Sequence, residues 1–118
     1  MSSEEHLQKV ERRIQKLEAF LENAPGDTFS RFALALEYLK AERTDEAEKI
    51  FVDIAENQPG YSGVYYHLGK LYEGKGRYDD AFATYSSGIE VCQHQQELHA
   101  LKELKEAQMM LRQALDDD

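Results

Sequence analysis

The sequence predicts an all-α protein, a stack of antiparallel helix hairpins, and three observations predict it. A segment, Glu22-Asn23-Ala24-Pro25-Gly26, recurs as Glu56-Asn57-Gln58-Pro59-Gly60 at an offset of 34 residues. The same offset carries Leu34 onto Leu68, Tyr38 onto Tyr72, Arg43 onto Arg77, Asp45 onto Asp79, Ala47 onto Ala81 and Glu56 onto Glu90. A fixed period of this length marks repeated units that each bury an apolar face against a neighbour. Between the Pro-Gly and Gly-x-Gly punctuation, every long segment places its apolar residues at helical steps of three and four. Short connections then favour helix hairpins.

The elements follow in order. Residues 4–23 form a helix striped by Leu7, Val10, Ile14, Leu17 and Leu21, and Pro25-Gly26 ends it. Asp27 caps a second helix to Ala41 that carries Phe29, Phe32, Leu34, Leu36 and Leu39. Thr44 caps a third, with Asp45 and Glu46 set against its N-terminal dipole and Ala47, Ile50, Phe51, Ile54 and Ala55 along it. Ser62 caps a fourth through Glu73, and a fifth covers Tyr78 to Val91. After a polar link, Gln93 to Gln96, a last helix over 97–115 carries Leu98, Leu101, Leu104, Leu111 and Leu115; residues 116–118 are expected to fray.

Composition narrows the function classes. The 118 residues suit one domain with a packed core, at 42% hydrophobic and 31% charged. Net charge is −9 and spread along the chain, and no segment is basic enough to neutralise a run of phosphates. No nucleic-acid partner is expected. No stretch has the ~20 apolar residues of a membrane span, so no membrane role is expected either. The acidic start lacks a secretory pattern, and a lone Cys92 suits a reducing compartment. A cytoplasmic protein is expected.

The hairpins resemble the tetratricopeptide repeat. The second copy reads Tyr65, Leu68-Gly69, Tyr72, Ala81 and Tyr85; the first reads Leu34-Ala35, Tyr38, Ala47, Phe51 and Pro59. Arg31 replaces a bulky residue of the family pattern, and Gln93 stands where Pro is usual. Small residues at Ala35/Gly69 and Ala47/Ala81 fit close helix approach, where a larger side chain would overpack. The resemblance implies a right-handed superhelix of hairpins. Its units would be a half-repeat helix at 4–23, full repeats at 28–61 and 62–95, and a capping helix at 97–115.

The resemblance also implies a concave groove lined by the first helix of each repeat, for a peptide or helix of a protein partner. Carried onto this chain, the groove holds Phe29, Phe32, Leu36 and Leu39, then Tyr66, Lys70 and Glu73. An apolar face of that kind is either a partner site or is covered by the chain itself or by a second copy. A clamp for acidic C-terminal tails is not expected, because Phe32, Leu36, Gly63 and His67 stand at its places and Lys70 alone offers a cation. A homodimer through the groove or the first helix is the alternative.

Other features carry less. Lys9, Arg12, Arg13 and Lys16 form a basic stripe that suits a solvated face or an acidic partner. His6, His67, His94 and His99 lack ligand spacing for a metal, Cys92 lacks a His-plus-acid arrangement, and Gly74-x-Gly76 lacks the strand and third glycine of a phosphate loop. No catalytic residue, metal or cofactor is expected, and the protein is read as a non-enzyme.

Overall fold

The computed structural model describes residues 2–117. In it the apolar periodicities become six α-helices: α1 (Ser3–Asn23), α2 (Thr28–Lys40), α3 (Thr44–Asn57), α4 (Gly63–Gly74), α5 (Tyr78–Gln95) and α6 (Leu98–Asp116). No strand occurs among the described residues. Two compact units form, Met1–Ile54 and Ala55–Asp118, and their boundary falls inside α3.

Caps begin the first two helices. Ser2 Oγ accepts the Glu5 N–H at 3.1 Å, and Asp27 Oδ1 accepts the Ser30 N–H at 3.1 Å. Two other expected caps differ. Thr44 is the first residue of α3 itself, and the Arg43 carbonyl accepts the Ala47 N–H at 3.2 Å. Ser62 holds the N-cap place of α4 but makes no cap bond; its hydroxyl donates to the Glu97 carboxylate, which ties the start of α4 to the start of α6.

In the first unit, α1 packs on α2 through Val10 and Ile14, both fully buried. Leu17 and Leu21 are half-buried, and Leu7, also on the expected stripe, is exposed. Arg13 pairs with Glu37 at 3.0 Å and Tyr38 Oη donates to Glu18 at 2.7 Å, which ties the hairpin together at its polar margin. Phe32 meets Phe51 at a ring separation of 5.8 Å, and Arg31 pairs with Asp53 at 2.6 Å, so α2 also engages α3.

In the second unit α4 packs on α5, α5 on α6, and α4 reaches α6. A Cβ built on Gly69 would lie 2.2 Å from Tyr85 Cε1. One on Gly88 would lie 2.5 Å from Tyr65 Cβ and 2.9 Å from Leu104 Cδ1. Helix α5 therefore touches α4 at one glycine and both neighbours at the other. It also runs a turn beyond the expected Val91, to Gln95, because Gln96 takes a left-handed conformation (φ 60°) and closes the end by its bond to Cys92 O. Leu104 and Leu111 of α6 are buried, but Leu98 and Leu115 are exposed at 75% and 40%. Ala107 completes the buried stripe in their place. Of the tail expected to fray, Asp116 is helical, Asp117 is the cap, and residue 118 lies outside the described residues.

The repeat-pattern residues Leu34, Ala35, Tyr38, Ala47, Phe51, Tyr65, Leu68, Gly69, Tyr72, Ala81 and Tyr85 are buried. Pro59 is exposed in its turn, where its carbonyl accepts the Tyr65 hydroxyl at 2.5 Å.

Candidate functional site

The first helix of each hairpin turns one face inward, and what remains on the other face is the candidate site. On α2 the buried residues are Leu34, Ala35, Glu37 and Tyr38. At 100° per residue, Phe29, Phe32, Leu36 and Leu39 fall on the opposite side. Phe29 is 73% exposed, and the other three are half-buried. Four apolar side chains thus share one helix face in the first unit. Phe32 is partly committed to Phe51. The mean hydropathy of the whole chain is −0.68, so an uninterrupted apolar strip on a solvent-facing helix stands out.

In the second unit, Tyr66 and Lys70 lie on one face of α4, with the Lys70 ammonium 5.7 Å from the Tyr66 ring centre. They line a pocket of about 130 Å³ together with Glu103, Glu106, Ala107 and Met110 of α6. Glu73 is not among the lining residues. Its carboxylate accepts the Tyr85 hydroxyl and pairs with Lys70 at 3.7 Å, so it braces α4 against α5. Burial first, and then that bond to Glu73, push the Tyr85 hydroxyl well above the usual phenol range.

The α6 members of the pocket escaped the sequence reading, which weighed that helix for its leucine stripe and for His99 but not for this face. Glu103, Glu106, Ala107 and Met110 share one face of α6, with Ala107 four residues after Glu103 and Met110 four after Glu106. A helical wheel alone would have flagged Met110, 62% exposed, beside the buried stripe. Next to them His67 is half-buried, and burial lowers its pKa against a smaller opposing effect of Glu103.

The arrangement offers apolar contact, one cation and several carboxylates. Among the described residues no group of three or more His, Cys, Asp or Glu is placed to hold a metal. Cys92 is buried, and burial, assisted by the Glu97 carboxylate, pushes its thiol up and keeps it protonated. No helix is long and apolar enough to cross a membrane.

A family model of the tetratricopeptide repeat matches residues 38–104. Among solved structures, a tetratricopeptide repeat domain protein from Salinibacter ruber is 44% identical, with a TM-score of 0.71 over 73% of this chain and 96% of that one. A protein from Bordetella parapertussis is 27% identical, with a TM-score of 0.75 over 86% of this chain and 88% of that one. MamA of strain AMB-1 is 25% identical, with a TM-score of 0.64 over 90% of this chain and 63% of that one. No curated protein matches the chain.

Proposed function

Because the chain belongs to the tetratricopeptide repeat family, an all-α helical-repeat fold that generally serves protein interaction and is generally non-catalytic, we propose that it is a non-enzymatic adaptor. It binds an apolar peptide or helix of a protein partner on the exposed faces of its first helices. The observation that carries this reading is the α2 strip, where Phe29 stands 73% exposed in line with Phe32, Leu36 and Leu39. Large apolar side chains aligned at helical spacing match the anchors by which an amphipathic segment is held. In the second unit, Tyr66 and Met110 supply further apolar contact, and Lys70 beside Glu103 and Glu106 orients polar groups of the ligand.

Phe32 packs on Phe51, so its truncation would mix lost packing with lost binding. Phe29→Ala combined with Tyr66→Ala removes exposed area instead. The expected outcome is a double variant that keeps its helical content but loses partners captured by the wild type from a lysate, with at least a tenfold drop in affinity for any partner then purified. A folded double variant that binds the same partners equally well refutes the reading.

A further inference from the structure

A second surface stands apart from the first-helix faces. Within the second unit, the last turn of α3, the Pro59-Gly60 turn and the facing sides of α4 and α5 enclose a cleft of about 600 Å³. Its apolar wall comes from Ala55, Pro59, Tyr65, Leu68 and Val91. Glu56 and Glu90, also lining it, are both exposed. These two carboxylates occupy equivalent places one 34-residue period apart, on the second helices of successive hairpins, so the repeat itself directs two negative charges to one cleft.

The complement is carried by α1. Lys9, Arg12 and Lys16 are exposed on the side of the helix opposite Val10 and Ile14. One turn past Lys16 the same side continues into Phe20, which is 51% exposed. The fourth base, Arg13, is engaged by Glu37. Among the described residues no ion pair engages Lys9, Arg12, Lys16, Glu56 or Glu90. Two copies carrying −9 each repel unless their charges are segregated into matching patches. Here a basic stripe ending in an aromatic faces outward on one unit, and an acidic, apolar-walled cleft opens on the other. The cleft falls in the size class of pockets that hold ligands of several side chains' volume.

We propose that α1 of one copy docks in this cleft of a second copy, with Phe20 against the apolar wall and Arg12 and Lys16 against Glu56 and Glu90. The two surfaces are different, so the contact is heterologous. Each added copy leaves one stripe and one cleft unused, and assembly proceeds to chains or closes into a ring.

Sedimentation of the full chain at pH 8, from micromolar to several hundred micromolar, tests this. Mass should rise with concentration in 50 mM salt, and the association should weaken about tenfold or more in 500 mM salt, where the Debye length is short. Arg12→Glu/Lys16→Glu and Glu56→Lys/Glu90→Lys should each be folded and monomeric, since all four positions are exposed. Mixed in equal amounts, the two variants should associate, because each supplies the surface that the other lacks. Phe29→Ala/Tyr66→Ala should associate as the wild type does, which separates this contact from the first-helix faces. A wild type that stays monomeric throughout overturns the proposal. So does self-association that survives both reversals, a mixture that stays monomeric, or a cleft that binds foreign basic peptides in a chain that never pairs with itself.

Discussion

Gly69 lets α4 and α5 approach closely. An added methyl would overlap three ring atoms of Tyr85, a side chain that is fully buried and bonded through its hydroxyl to Glu73. The ring cannot swing aside without breaking that bond. The first repeat carries Ala35 and Phe51 at the places equivalent to Gly69 and Tyr85, and phenylalanine has no hydroxyl to anchor. Gly69→Ala is therefore expected to destabilise by about 1–3 kcal/mol, even though alanine is favoured over glycine in a helix by about 1 kcal/mol. Urea unfolding followed by circular dichroism measures it, and a variant as stable as wild type would show that the contact gives way freely. Tyr38 makes a related prediction about pH. Burial, reinforced by its hydrogen bond to Glu18, raises its hydroxyl pKa to about 12 from an ordinary 10. The folded state then holds a proton that the unfolded chain releases near pH 10. The contribution is complete below pH 10 and is lost as pH rises from 10 to 12. Tyr38→Phe should lose less stability than wild type between pH 9.5 and 11.5, and an equal loss in the two proteins would contradict this.

The helices repeat one another down to their turns. Arg43 lies over the Tyr38 ring at 4.5 Å and Arg77 over Tyr72 at 4.4 Å. Each arginine also donates its backbone N–H to that tyrosine's carbonyl, at 2.8 and 2.9 Å. The offset of Tyr38 and Arg43 onto Tyr72 and Arg77 was legible in the sequence; the stacking that explains it was not, because a shared period does not say what touches. The turn residue between them shows how the copies diverge. Glu42 adopts φ 60° where the second copy has Gly76 at φ 74°, so the first hairpin holds a left-handed conformation that its side chain disfavours. At the N-terminal end, α1 places Val10 and Ile14 over α2 and offers Arg13 to Glu37, which is only 9% exposed. Removing residues 1–24 would bare that apolar area and leave Glu37 without Arg13. We expect the melting temperature to fall by roughly 4–8 °C for each ~1 kcal/mol lost, with several kcal/mol at stake. A truncated chain that melts with the full-length protein would remove α1 from the stabilising core.

On the scale of the whole molecule, the helical-repeat fold and the family were readable because both depend on pattern. Periodic apolar residues dictate which segments coil and which side turns inward, and a 34-residue recurrence dictates that the solution is repeated. The candidate site was readable only in outline. The face of α2 follows from helix geometry, and so do Tyr66 and Lys70. That Glu73 braces Tyr85, that Ser62 serves Glu97, and that α6 brings Glu103 and Met110 to the Tyr66 pocket does not follow from it. Ser62 and Glu97 stand 35 positions apart, and Tyr66 and Met110 farther still. The sequence by itself determined the helices, their order and their buried sides, since those follow from interactions between residues a few positions apart. Only the tertiary structure decided which polar groups are consumed in bracing and which are left for a partner, because that depends on where distant segments meet.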